Sequence, residues 1–551
     1  MENKYRTIVD RMSIREKIGQ TVQLRLSMMR NVINSDGTLQ EFLEKYPIGS
    51  VFGGADIISR FSSRENPVAV IERCNRLSKI PLSVAGDLEH GGGNVRLPSQ
   101  LALAASRSPE DAYDFGKWCA LGGREFGFTW TYSPEVDIAF SWHNPVNNHR
   151  GLGDDPELIM ELASNVVKGL QDNMVSAGCK HFPGDGSDFR DQHIGPSLNR
   201  LSRKRWMDTY GRIYRKMISS GTHSIMPGHI SLPFMDMGRG LPPPATLSRK
   251  ILEDLLRGEL GFEGVIVSDA LVMGGFNWLP LENDRLVTAF QAGCDVMLWP
   301  DRDILNGELP DLAYFDNMLK ALDSGFISEK RLDESVMRIL QMKDRQGILD
   351  PAEPVQKHDP AEIEINGNDF GRKLAQKGAV LLRNSLGILP LQQEKTKKVL
   401  LWFAVNKEEV VAKEYQALAE NFRSRGAEVE IRINGNANDL KKLEMAGGNF
   451  DTVIFLFDSS THAILNSCRP MGAAAEVLWI IHNGLHHQPV VIGLNTPYII
   501  MEDPALQTVV NTHCRGQVCA ESLVPLLYGE VPFSGTSPVN LDNLLDVDEN
   551  L

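Results

Sequence analysis

Through about residue 345 the chain alternates short apolar runs with amphipathic helical segments, the pattern of repeated β–α units wound around a parallel sheet. Seven of these runs have the length and composition of buried strands: 48–52, 81–86, 129–134, 174–179, 224–226, 264–268 and 294–299. A closed TIM-type (β/α)8 barrel needs one more, so a barrel-like domain over 1–348 is expected with its eighth strand irregular or absent. Residues 349–366 carry three prolines and little periodicity and read as a linker. Beyond it, strands are expected at 398–405, 429–433, 452–457, 489–494 and 508–510. Helical segments such as 410–425 and 473–483 separate them, so 367–551 reads as an αβα sandwich with a mostly parallel sheet. No glycine-rich phosphate loop opens any of these helices, and no nucleotide is predicted there.

Size and charge narrow the class. A chain of 551 residues exceeds what one core sustains, in keeping with two domains. Hydrophobic residues at 42% and charged residues at 23% are ordinary for a globular protein, and a formal net charge of −14 argues against nucleic acid or an anionic membrane as partner. The seven cysteines are scattered and mostly set in apolar runs, without a C-x-x-C metal pair, which suits reduced core thiols. The first residues do not read as a secretory signal, and no apolar run of about 20 residues occurs, so a cytoplasmic location is expected.

The chemistry concentrates in Lys180-His181-Phe182-Pro183-Gly184-Asp185-Gly186, followed by Asp191-x-His193. An apolar run delivers Lys180 and His181 to its carboxyl end and opens into a loop broken by Pro183, Gly184 and Gly186, which is where α/β barrels keep their reactive groups. A carboxylate bonded to one imidazole nitrogen fixes the tautomer and makes the other nitrogen a proton shuttle near neutral pH. An Asp-x-His pair in a loop can equally be two solvated side chains. Other candidate strands also end in polar groups: Asp87 and Glu89, Glu135 and Asp137, His229, Asp269 and Asp301. Each reads as readily as a helix cap, and spacing alone does not separate a reactive Asp269 from a capping one.

Taken together, these segments resemble the β-N-acetylglucosaminidase branch of family-three glycoside hydrolases. The likeness rests on the Lys180–His193 stretch and on Gly264-Val265-Ile266-Val267-Ser268-Asp269-x-Leu271-x-Met273. It extends to Asp87-x-Glu89, Arg96-Leu97-Pro98, Ser133-Pro134-Glu135-Val136-Asp137, Arg150-Gly151-Leu152-Gly153-Asp154, His229-Ile230-Ser231 and Ala292-Gly293-Cys294-Asp295. Gly378-Ala379-Val380-Leu381-Leu382-Arg383-Asn384 is similar to the join between barrel and sandwich in two-domain members.

The resemblance implies a retaining exo-glycosidase that releases terminal β-linked N-acetylglucosamine, for instance from peptidoglycan- or chitin-derived fragments. Asp269 would be the nucleophile and His193, oriented by Asp191, the general acid/base. It also implies that Asp87, Arg96, Arg150, Lys180 and His181 hold the sugar hydroxyls, with His229 nearby. The partner is a small carbohydrate, and neither a cofactor nor a metal is implied. Departures from the branch pattern fall at Asp185, Gln192 and Ala270, and Trp142 reads either as a sugar-stacking ring or as packing. A neutral histidine also repels an incoming anion less than a carboxylate would, so a β-glycoside phosphorylase is a second reading. A β-glucosidase or β-xylosidase drawing its proton from a glutamate of the second domain is a third, and a non-catalytic sugar binder a fourth.

Overall fold

The computed structural model describes residues 2–26, 29, 32, 36–53, 67–237, 240–299, 312–349, 358–405, 415–436, 438–439, 450–459, 467–483 and 489–542. Asp301 lies outside them, as do 350–357 of the stretch read as a linker. The chain divides into two compact units: Met1–Asn94 with Tyr113–Asp137 and Ala163–Ile363, and Val95–Ala112 with Ile138–Leu162 and Glu364–Leu551.

Among the described residues, the main sheet of the first unit has eight short parallel strands: β1 Val22–Arg25, β2 Ser50–Phe52, β3 Ser83–Gly86, β4 Trp130–Thr131, β5 Ser176–Phe182, β6 Ser224–Pro227, β7 Val265–Ile266 and β8 Met297–Leu298. Each pairs with its neighbour in sequence, β8 returns to β1, and the parallel bridge Val267–Val296 joins β7 to β8, so the sheet closes into a barrel. The strand that the apolar runs left unassigned is β1. Its Val-Gln-Leu-Arg sequence alternates instead of forming a continuous apolar run, because Gln23 is buried and accepts a hydrogen bond from the Tyr132 hydroxyl.

Phe52, Ala85, Trp130, Tyr132, Met226, Val265, Val267, Val296 and Leu298 pack into one buried cluster. Burial of each large aromatic contributes on the order of 3 kcal/mol, and Trp130 stays satisfied by donating from Nε1 to Ser224 Oγ at 2.8 Å. The amino ends of the strands are closed by Lys343. Its Nζ donates to Gln20 Oε1 (2.8 Å) and to the Gly49 and Pro81 carbonyls (2.8 and 2.7 Å), which precede β1, β2 and β3. Burial pushes this lysine down to about 7. That end is a plug, and the carboxyl ends are left for chemistry.

The second unit is built on a six-stranded sheet of β9 Val380–Asn384, β10 Lys398–Val405, β11 Glu428–Ile433, β12 Thr452–Asp458, β13 Val490–Gly493 and β14 Thr508–Asn511, in the order β9-β14-β13-β12-β10-β11. All pairs are parallel except β9 with β14. Period-two alternation sends Val399, Leu401, Phe403 and Val405 into one apolar layer with helices Gln416–Ser424 and Gly516–Leu527. Leu400, Trp402 and Ala404 enter the other, with helix Ala473–Asn483. A helix over Pro360–Lys377 begins within the stretch read as a linker: Asp359 accepts from the Ala361 amide at 2.9 Å, and proline is tolerated at a first helical position. Trp142 packs against a buried cluster of Leu101, Tyr498 and Val539, which gives it a packing role.

Candidate active site

Every side chain of β5 is buried, and the strand brings Lys180 and His181 to the mouth of the barrel. Lys180 Nζ lies 2.7 Å from Asp87 Oδ1 and 2.5 Å from Glu89 Oε1. Asp87 keeps 44% of its side chain exposed, so it faces solvent while Glu89 is enclosed. His181 Nδ1 donates to Asp137 Oδ2 at 2.7 Å, and the His181 amide also donates to that carboxylate. This turns Nε2 toward Asp269, whose Oδ2 lies 4.0 Å away.

Asp269 follows β7 and accepts from the Ala270 amide at 2.7 Å. Burial would raise its pKa, but the neighbouring imidazoles, His181 above all, and the hydrogen bond from the Ala270 amide outweigh that and hold the carboxyl below the ordinary range, so it is ionised at neutral pH. His181 shows the reciprocal effect. Burial alone would push it down, yet the Asp137 charge and hydrogen bond raise it. A carboxylate kept ionised in a nearly dry setting beside imidazoles has the character of a nucleophile.

The loop after β5 carries the second Asp–His pair. His193 Nδ1 donates to Asp191 Oδ1 at 2.6 Å and its amide donates to the same oxygen at 2.8 Å. The loop docks on the segment that follows Asp269: the Gly274 amide donates to the His193 carbonyl and the Gly275 amide to the Gln192 carbonyl, both at 2.9 Å. Close approach requires glycine at 274, where a Cβ would come within 1.9 Å of the Ile194 carbonyl oxygen.

His229 is fully buried with both ring nitrogens engaged. Nε2 donates to the Ala270 carbonyl at 3.0 Å, so Nδ1 accepts from Thr246 Oγ1 at 2.9 Å. No nitrogen is left for a sugar hydroxyl. Burial lowers its pKa, in keeping with a neutral ring, and what it holds is the backbone beside Asp269. Arg96 and Arg150 belong to the second unit. There Arg96 is exposed and bonds Gln517, and the Arg150 carbonyl accepts from Gln100 Nε2 at 2.9 Å.

Sequence reasoning noticed Asp137 only as a strand-end carboxylate. In the structure it accepts three N–H groups, from the His181 amide, His181 Nδ1 and the Asp185 amide. The signal was available in the Glu135-Val136-Asp137 alternation, which carries both carboxylates on one side of the chain as it leaves β4. Glu135, Asp137 and His181 bring ligand atoms within 4.8 Å of one another, but a cation there would have to displace the hydrogen bonds that orient His181.

An ionised carboxylate and two carboxylate-bound imidazoles at the carboxyl end of a parallel barrel define an enzyme site suited to nucleophilic substitution with proton transfer. The profile of the glycosyl hydrolase family 3 N-terminal domain matches residues 13–342, and the chain belongs to that family and is a glycoside hydrolase. A β-N-acetylglucosaminidase/β-glucosidase of Cellulomonas fimi is 28% identical over 537 residues, covering 91% of this chain and 90% of that protein. A solved β-glucoside phosphorylase, BglX, superposes with a TM-score of 0.83 at 26% identity, covering 98% of this chain and 96% of its own. A family 3 β-N-acetylglucosaminidase from Paenibacillus sp. str. FPU-7 shares the fold, with a TM-score of 0.81 at 23% identity over 96% of this chain and 99% of its own. No helix among the described residues is long and apolar enough to cross a membrane.

Proposed function

We propose that the chain is a retaining, exo-acting β-N-acetylglucosaminidase. Asp269 attacks the anomeric carbon and forms a covalent glycosyl-enzyme, while His193, oriented by Asp191, protonates the departing oxygen. The same imidazole then takes a proton from the incoming water, which releases the sugar with its configuration retained. Asp87, Lys180 and His181 hold ring hydroxyls, the carboxylate accepting and the cation donating. The observation that carries this reading is the placement of an ionised Asp269 beside His181, with the Asp191–His193 loop hydrogen-bonded to the backbone five and six residues after Asp269. The likeness to the Cellulomonas fimi enzyme supports the sugar assignment. A cytoplasmic setting fits the seven buried free thiols.

Phosphorolysis is the second reading, favoured by the likeness to the β-glucoside phosphorylase. In that case phosphate replaces water in the second step. Turnover of aryl β-N-acetylglucosaminide, N-acetylgalactosaminide and glucoside, with and without phosphate and followed by NMR, separates the readings. The expected result is preference for the N-acetylglucosaminide with the β-anomer of the free sugar formed first. A glycosyl phosphate as main product overturns hydrolysis, and an α-anomer formed first overturns retention.

A further inference from the structure

Gln192 stands between the two residues of the dyad, yet it is fully buried while His193 keeps 22% of its side chain exposed. Both ends of its amide are used: Nε2 donates to Asp185 Oδ2 at 3.3 Å, and Oε1 accepts from the His229 amide at 2.7 Å. Its carbonyl accepts from the Gly275 amide at 2.9 Å. Asp185 is itself fixed, its amide donating to Asp137 Oδ1 at 2.7 Å and its Oδ1 accepting from the Gly186 amide at 2.7 Å. The packing is close, since a Cβ on Gly228 would fall 2.9 Å from Gln192 Oε1 and one on Gly275 would fall 2.6 Å from the Gln192 carbonyl oxygen. One residue thus ties the loop after β5 to the carboxyl end of β6 through its side chain and to the segment after β7 through its backbone. Losing a partner would leave a buried polar group unsatisfied, at about 1–3 kcal/mol each, so the loop has a strong preference for this seat.

We propose that Gln192 is a positioning residue for proton transfer: it touches no substrate, and through two buried side-chain hydrogen bonds it holds Asp191 and His193 within reach of the leaving-group oxygen before substrate binds. The proposal rests on the assignment of the Asp191–His193 pair as acid/base. It follows from reach as well as from bonding. A serine or threonine hydroxyl at 192 is too short to span Asp185 and the His229 amide together, so such a residue leaves the loop anchored by backbone alone. A misplacement of about 1 Å in a proton donor costs on the order of a hundredfold in rate.

The test is kcat/KM for Gln192→Met, which keeps the volume and removes both hydrogen bonds, on two substrates of one sugar. A poor alkyl aglycone needs the proton, and a dinitrophenyl aglycone does not. The expected result is a fall of about 10–100-fold on the alkyl glycoside and less than about threefold on the dinitrophenyl glycoside. An equal fall on both, or no fall on the alkyl glycoside, overturns the proposal. His193→Ala is measured alongside. If it discriminates between the aglycones and Gln192→Met does not, the positioning role alone is lost; if His193→Ala does not discriminate either, the acid/base assignment and this inference fail together. Should Gln192→Met melt out, Gln192→Ser, which shortens the side chain without adding bulk, is read by the same two ratios.

Discussion

His181 with Asp137 and His193 with Asp191 are built from the same contact, an Nδ1–H donated to a carboxylate at 2.7 Å in one pair and 2.6 Å in the other. Their surroundings differ. The His181 side chain is 5% exposed and the His193 side chain 22%. His181 is raised by Asp137 against the pull of burial and faces the Asp269 carboxylate, so its charged form is favoured in a place with little access to water. His193 has more access, on a loop that reaches solvent. The pairing orients each ring, and access to water decides which ring can trade a proton.

The largest effect expected from this comparison comes from Asp137→Asn. Three N–H groups converge on the carboxylate, and an amide offers a single acceptor oxygen in its place. We expect kcat/KM to fall by about 10³-fold or more whatever the leaving group, since His181 loses its orientation. Urea unfolding should show a loss of about 2–4 kcal/mol, because the site is fully buried. Asp191→Asn, the same change in the pair whose imidazole reaches solvent, should cost about 10²-fold on poor leaving groups and close to nothing on dinitrophenyl glycosides. Equal losses in activity on both kinds of leaving group in the two variants would mean that access of the imidazole to water does not distinguish the pairs.

The smallest effect is in pH. In the folded protein His181 binds its proton more tightly than in the unfolded chain. Its contribution to stability is therefore full below the ordinary histidine value of about 6.5 and is lost as pH rises through the raised value. The stability gap between wild type and Asp137→Asn should accordingly narrow as pH rises above about 6.5 in urea titrations. A gap that widens over that window contradicts the assignment of His181 as the buried cation.

Local order in the chain explains what could be read in advance. Asp191 and His193 are two residues apart and Lys180 and His181 adjacent, so backbone geometry alone makes them neighbours. The third to eighth strands announced themselves as apolar runs ahead of polar ends. Asp137 and His181 are 44 positions apart and meet only because β4 pairs with β5, a contact with no fixed spacing to betray it. β1 was hidden because the barrel interior accepts Gln23, and strand patterns assume an apolar inside. His229 stood at the right strand end, but its ring is turned to Ala270 and Thr246, a choice made by side-chain direction that no motif records.

The central claim is that Asp269 becomes covalently attached to the sugar, and peptide mass spectrometry of the inactivated enzyme tests it most directly. A fluorinated glycosyl fluoride of the N-acetylglucosamine series slows the second step by destabilising the positively charged transition state, so the intermediate accumulates. The account predicts one added glycosyl mass on the peptide containing Asp269, absent from Asp269→Ala. A label on a different carboxylate, or full turnover by Asp269→Ala, would contradict it.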